Sequence, residues 1–131
     1  MNVGPVARDA ASAEFFDGAA AGVFLLRCCP AGHFSEPPAV QCTTCASTEL
    51  RWQAACGDAT LVSWAVTWSR PTGDDEPQRT VLVIAELEEG PWWWSQLVDA
   101  DPANLAAGRR LRIEFRRADP EHEAVPVFAP A

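Results

Sequence analysis

The sequence has little positive charge and no long hydrophobic run. Its 131 residues carry a formal net charge of −8 and a pI near 4.6, so the chain as a whole would repel a nucleic-acid backbone or an anionic membrane surface. No apolar stretch approaches the roughly 20 residues that span a bilayer, and the N-terminus has no charged head followed by a hydrophobic region. These features predict a cytoplasmic protein with neither nucleic-acid nor membrane partners.

Catalytic motifs are equally scarce. The sequence contains no Gly-x-Ser-x-Gly elbow, no phosphate-cradling glycine loop and no pair of carboxylates at catalytic spacing. Cys56 has no following histidine in a position to act as its base, and we interpret it as a packing residue. We therefore identify no catalytic residue and expect no activity from the chain alone.

What is present is the composition of a folded domain. Apolar residues make up 48% of the chain and charged residues 21%, with six Trp and six Phe, which is a globular rather than a disordered balance. An alanine-rich run over residues 9–22 places Phe15 and Phe16 on one face and predicts a short amphipathic helix. The length fits one domain, or one small domain with an appended module.

The second half of the chain alternates apolar and polar residues in the manner of β-strands. The segments are 60–68, 80–90, 91–98, 111–117 and 124–130. In the first of them we expect Trp64 and Val66 on one face and Leu61 and Ser63 on the other, because side chains alternate along a strand. Five short strands after a cysteine-rich segment predict a small barrel, closed or partly open.

Four of the five cysteines and one of the two histidines fall within residues 28–45. In a cytoplasmic protein, clustered cysteines are more often reduced metal ligands than disulfides, and an odd cysteine count favours the same interpretation. Structural zinc takes four thiolate or imidazole ligands in a tetrahedral array. The segment therefore predicts a structural zinc site with one ion per chain.

Several short motifs occur in a fixed order along the chain. They are the Arg27-Cys28 start, Pro37-Pro38 before Cys42-x-x-Cys45, the "ELEEG" strand end, and the spacing from Asp101-Pro102 to Gly108. This order resembles the OB-fold proteins with an N-terminal rubredoxin-like zinc ribbon that accompany thiolases and other acyl-CoA enzymes. The resemblance implies a mainly β protein with a helical segment at 1–26, a zinc-ribbon module at 27–52 and a five-stranded OB-fold barrel at 53–131.

The family's ribbon holds its metal with two Cys-x-x-Cys knuckles. The second knuckle is intact here as Cys42 and Cys45, whereas the first, counted from Cys28, has Ala31 in place of its second cysteine. The resemblance thus provides three ligands, Cys28, Cys42 and Cys45.

Two residues are candidates for the fourth ligand. His33 is preferred, because an imidazole is longer than a thiol and Gly32 lets the backbone turn. Cys29 is the alternative, ranked second because it adjoins Cys28 and successive side chains point apart. A further alternative is a ribbon that has lost its metal and persists by packing, with reduced cysteines as small apolar residues.

The resemblance also implies a function. The family's members dock on a thiolase-like enzyme, an aldolase or a hydratase and help it handle a CoA thioester, so we expect a noncatalytic accessory subunit in a hetero-oligomer. A freestanding acyl-CoA-binding protein is one alternative. A single-stranded nucleic-acid binder is another, since OB barrels commonly bind such strands, but the negative charge argues against it.

The run "PWWWS" is a candidate partner interface. On a strand Trp92 and Trp94 leave from one face and Trp93 from the other. A narrow barrel does not enclose three adjacent indoles, so we expect Trp92 or Trp94 at a docking surface. The alternative is that the helix or the ribbon covers the pair.

The basic residues are all arginines, and several cluster late in the chain. Arg109, Arg110 and Arg112 are candidates for contact with the phosphates of CoA or with an acidic partner, because guanidinium groups suit such acceptors. The alternative is a solvated outer face of one strand.

Overall fold

The computed structural model describes residues 6–70, 73 and 76–131. Residues 71, 72, 74 and 75 follow the first barrel strand and lie outside the described residues. The elements, in chain order, are α1 (Ala13–Ala20), β1 (Leu25–Cys28), β2 (Phe34–Ser35), β3 (Arg51–Ala54), β4 (Asp58–Trp68), β5 (Arg79–Leu87), β6 (Trp92–Leu97), a 3-10 turn (Pro102–Asn104), β7 (Arg110–Arg116) and β8 (Val125–Pro130). Across these ranges, no helix has the length and apolarity to cross a membrane.

Helix α1 is shorter than the predicted 9–22 and is held by its aromatic face. Ser12 occupies the N-cap position, but its side chain makes no capping hydrogen bond; its hydroxyl donates instead to the Asp9 carboxylate at 2.7 Å. Phe15 and Phe16 are buried, and the Phe15 ring meets Phe24 edge-on with centroids 5.6 Å apart. Packing rather than capping therefore stabilises the helix.

Strand β1 lies at the centre of a three-stranded antiparallel sheet, in the order β2-β1-β3. Its last residue, Cys28, pairs with Phe34 on one side and Arg51 on the other. The sheet extends from Leu25 to Ala54, slightly beyond the expected 27–52 at both ends. The cysteine-rich segment therefore leaves and re-enters one small sheet, which we call the ribbon.

The remaining strands form a closed barrel in the order β4-β5-β6-β8-β7. The pairs are antiparallel except β6 with β8, which is parallel. The five predicted strand segments all form barrel strands, which confirms the expected fold class. The barrel core consists of side chains that alternate inward along each strand: Leu61, Val81, Val83, Ala85, Leu87, Leu97, Leu111 and Phe128.

Strand β4 contains an irregularity that the alternating pattern does not predict. Its register against β5 shifts between Leu61 and Ser63. Before the shift Leu61 pairs with buried Ala85, and after it Trp64 pairs with buried Val83. Leu61 and Trp64 therefore share one face of the sheet, although Trp64 is exposed and Leu61 is buried. This corrects the expectation that they lie on opposite faces. A bulge inserts one residue and reverses the alternation beyond it.

Candidate metal centre

Four side chains that can bind a metal converge where the chain leaves β1. The ligand atoms of Cys29, His33, Cys42 and Cys45 all lie within 4.8 Å of one another. The Cys29 sulfur is 3.5 Å from His33 Nδ1 and 3.7 Å from the Cys45 sulfur. Ligands at zinc distances in a tetrahedron are about 3.5 to 3.8 Å apart. The donor types and these two short distances suit a metal ion.

The first half of the cluster is built by a tight turn. The Cys29 amide donates to the His33 carbonyl at 3.0 Å, and the Gly32 amide donates to the Cys29 carbonyl at 2.9 Å. Gly32 has φ +88°, a left-handed conformation that residues with a side chain adopt at a cost. The turn brings the Cys29 thiol and the His33 ring to the same side.

The second half is a knuckle around Cys42. The backbone amides of Thr44 and Cys45 each lie 3.4 Å from the Cys42 sulfur. These N–H donors favour the thiolate, and they lower the pKa of Cys42 to about 6, with the Cys45 amide as the largest cause. Near neutral pH, Cys42 is therefore a ready anionic ligand.

The pKa of Cys45 moves in the opposite direction. The Ser47 amide lowers it, but the hydrogen bond shared with the Cys42 thiol, desolvation and the nearby Cys29 sulfur outweigh that effect, so the pKa is raised. One thiolate beside another is disfavoured in the protein alone. A bound dication reverses this repulsion, because it favours deprotonation of every thiol that coordinates it.

Cys28, the expected first ligand, lies outside the cluster. It is 3% exposed, and its thiol lies 3.5 Å from the Cys29 carbonyl. Along β1 the buried positions are Leu26 and Cys28, so Cys28 faces the interior with Leu26, whereas Cys29 follows the strand and turns towards His33. The geometry thus replaces Cys28 by Cys29, the residue ranked second for the fourth position. The sequence carried a signal for this exchange: Leu26 and Cys28 are two positions apart on a strand, so both side chains point to the interior.

The tryptophan run has the predicted alternation. Trp92 and Trp94 are 55% and 75% exposed. Trp93 packs instead on the helix side, with its ring centroid 5.5 Å from Phe24 and 6.2 Å from Phe15. Helix α1 therefore covers Trp93 and leaves the exposed pair uncovered.

Strand β7 and the residue before it carry the candidates for phosphate contact, Arg109, Arg110 and Arg112. Arg110 pairs with Glu88 at 3.1 Å, and Arg112 pairs with Glu114 at 3.1 Å. Hydrogen bonds from Arg116 and Arg112 lower the pKa of Glu114, so Glu114 is an ionised partner. Arg110 and Arg112 therefore already have carboxylate partners, which favours the solvated outer face.

Cys56 is exposed, which corrects its interpretation as a packing residue. The Asp58 amide lowers the pKa of the Cys56 thiol, but desolvation and the Glu89 carboxylate outweigh it, and the pKa is raised. A raised pKa keeps the thiol protonated near neutral pH, so Cys56 lacks the activation that a catalytic nucleophile needs.

Comparison with known proteins agrees with this architecture. Residues 52–116 match the family described as ChsH2, C-terminal OB-fold domain. A relative from Pyrococcus furiosus, a DUF35 domain-containing scaffold protein, is 26% identical over 89 residues, which is 68% of this chain and 65% of the relative. The match therefore spans somewhat less than two thirds of that relative's length.

Two solved structures extend the likeness to the whole chain. The structure described as Ltp2-ChsH2(DUF35) aldolase is similar with a TM-score of 0.79 and 27% identity, over 95% of this chain and 97% of that one. A DUF35 protein of unknown function from Sulfolobus solfataricus has a TM-score of 0.62 and 13% identity, over 93% and 86% of the two chains, and shows the shared fold alone. Residues 52–116 therefore match the ChsH2 C-terminal OB-fold domain, and the fold is shared along nearly the full length of the chain with a ChsH2(DUF35) structure.

Proposed function

We propose that this protein is a noncatalytic accessory subunit that binds an acyl-CoA enzyme of the aldolase or thiolase type and supports its activity on a CoA thioester. The observation that carries the proposal is the likeness, over 95% of the chain, to a chain of the Ltp2-ChsH2(DUF35) aldolase. The scaffold description of the Pyrococcus relative supports it independently.

The metal centre fits a structural role in this proposal. Cys29, His33, Cys42 and Cys45 would hold one zinc ion with four protein ligands. A catalytic zinc needs an open position for water or substrate, and a set of four ligands leaves none. Zinc would therefore fix the ribbon in place rather than take part in a reaction.

The proposed contact with the enzyme is an apolar surface on the outside of β5 and β6. Trp94 pairs with Ile84 across these strands, and Leu82 lies on the same face. A shallow cleft of about 200 Å³ borders Trp94, Leu82 and Ile84. We call Leu82, Ile84, Trp92 and Trp94 the outer apolar surface. Clustered exposed aromatics in a protein surface usually mark an interface, where such residues contribute most of the binding energy.

The proposal is tested by co-purification with the aldolase- or thiolase-type enzyme of the same host. We expect Trp92→Ala and Trp94→Ala each to weaken binding by about 2 kcal/mol or more, as at interface hot spots, with an unchanged melting temperature. Trp68→Ala is the matched control, because Trp68 is 64% exposed but lies at the end of β4, outside this surface. If both variants bind the enzyme as tightly as the parent does, the outer apolar surface is not the contact.

A further inference from the structure

A second cavity, of about 460 Å³, is lined by residues of α1, the ribbon, the loop after β2, and β6. Its volume lies within the range of small-molecule sites, and such sites combine apolar walls with a few polar groups. The walls include the aromatic rings of Phe15, Phe16, Trp52 and Trp93. Arg27 is the one basic residue among the lining residues. The cavity is therefore mainly apolar and contains a single fixed positive charge.

Arg27 is held in place but has unused hydrogen-bonding capacity. It lies opposite Trp52 in the ribbon register, and its guanidinium carbon is 4.3 Å from the centre of the Trp52 ring, a cation–π arrangement. Among the residues that the structure describes, no carboxylate forms an ion pair with Arg27, and its buried Nε has no hydrogen-bond partner. A buried donor without an acceptor is costly, and this one is charged.

Trp93, on the barrel side of the cavity, also has a buried donor without an acceptor in the described part of the chain. Its indole Nε1 is buried and, within the described ranges, finds no acceptor. The carboxylate of Asp9 also borders the cavity. It is already engaged, because it accepts hydrogen bonds from the Ser12 amide at 2.9 Å and the Ser12 hydroxyl at 2.7 Å. Because the Trp93 N–H is itself buried, the charged groups that border the cavity are the Arg27 guanidinium and the engaged Asp9 carboxylate.

We propose that this cavity binds a small apolar carboxylate. The carboxylate pairs with Arg27, whose planar fork suits two parallel hydrogen bonds to such a group, and the hydrocarbon body lies among Phe15, Phe16 and Trp52. A carboxylate pairs with the one guanidinium, whereas a phosphate dianion would bring a second negative charge close to Asp9 and the apolar walls. This site is separate from the outer apolar surface and does not depend on the accessory role.

The probe is octanoate, titrated into the purified full-length chain by calorimetry and followed by tryptophan fluorescence, since Trp52 and Trp93 line the cavity. We expect saturable binding of octanoate, at least about tenfold weaker binding of octanol, and no binding of octylammonium. Arg27→Met keeps an apolar stem and removes the charge, so it should weaken octanoate binding at least about tenfold. Arg51→Met is the matched control, because Arg51 is an exposed arginine of the same sheet, and it should bind octanoate as the parent does.

A second variant tests the same cavity if Arg27→Met fails to fold. Ala39 lines the cavity and is only partly buried, so Ala39→Phe should fill the cavity without disturbing the core and should abolish octanoate binding. The proposal is overturned if the parent shows no saturable binding of octanoate, or if octylammonium binds as well as octanoate. It is also overturned if a folded Arg27→Met or Ala39→Phe protein keeps the parent affinity.

Discussion

The ribbon and the barrel are stabilised by different interactions. In the barrel, β5 buries alternate residues along its length, and its inward side chains, such as Val81 and Val83, are almost inaccessible. In the ribbon, β2 has two residues and β3 buries none of its four. Apolar burial is the main favourable term in folding, and the barrel strands supply most of the buried core, which Leu26 of β1 joins. Strands β2 and β3 add little to this core, so we expect a metal bound by the thiols and the imidazole to stabilise that part of the ribbon.

This difference explains why the barrel has a regular sequence pattern and the ribbon does not. A strand that buries one face must alternate, so its pattern is visible in the residues. A metal-held module needs only a few ligands at the right places, and the residues between them are free to vary. The two regions should therefore respond differently to the same kind of damage.

The largest expected effect is loss of the metal from the ribbon. We expect the purified protein to contain close to one zinc per chain, and Cys29→Ala to remove nearly all of it, because three remaining ligands bind a structural zinc poorly. Metal analysis of protein produced in zinc-replete medium measures this directly. The barrel core should survive, so its near-UV signal and cooperative unfolding should persist.

Cys28→Ala is the control for the ligand set. Cys28 is buried beside the cluster but contributes no ligand atom to it, so the variant should keep its zinc and lose only a small packing contribution. If Cys28→Ala loses zinc and Cys29→Ala retains it, the ligands are those first expected from the sequence, and the geometry at the end of β1 is wrong.

The next effect should fall on the barrel. Phe128 is fully buried in β8, and Phe128→Ala should lower the free energy of unfolding by roughly 3 to 5 kcal/mol through lost burial and a residual cavity. Urea unfolding measures the change, and zinc content at low urea should stay at the parent value. A Phe128→Ala protein that releases zinc without unfolding would show that the ribbon and the barrel are not separate in their stabilisation.

The smallest effect concerns a contact that ties the two ends of the described chain together. Arg8 donates to the Glu123 carboxylate at 2.7 Å, and this hydrogen bond lowers the pKa of Glu123. A lowered carboxyl pKa contributes stability above the unfolded pKa of about 4.3 and loses it as pH falls through the folded value. Glu123→Gln should therefore melt slightly below the parent at pH 7 and together with it near pH 3. An equal difference at both pH values would exclude this ion pair as the cause.

Much of the barrel could be predicted from the sequence, because alternation in segments such as 111–117 is imposed by burial on one face. The bulge in β4 could not, since a one-residue register shift leaves the local composition unchanged. The exposure of Trp92 and Trp94 followed from their alternation with Trp93 and from the size of three indoles. The sequence did not predict which residues of β5 lie opposite Trp92 and Trp94.

The candidate site was predicted in outline and not in detail. The residue types and the intact second knuckle indicated a metal, but two adjacent cysteines offered two starting points for the first knuckle. The choice depends on where β1 ends: Cys28 completes the strand with its side chain inward, and Cys29 is the first residue free to turn. The end of β1 is set by its pairing with β2 and β3, which lie later in the sequence. The local cysteine motif therefore does not show where the strand ends.

The proposed accessory role beside an acyl-CoA enzyme can be tested by measuring turnover of a CoA thioester in three samples. These are this chain alone, the aldolase- or thiolase-type enzyme of the same host alone, and the two combined. We expect no turnover by the chain alone and a clear rise in the enzyme's activity when the chain is added. Turnover by the chain alone, or equal activity of the enzyme with and without it, would exclude the accessory role.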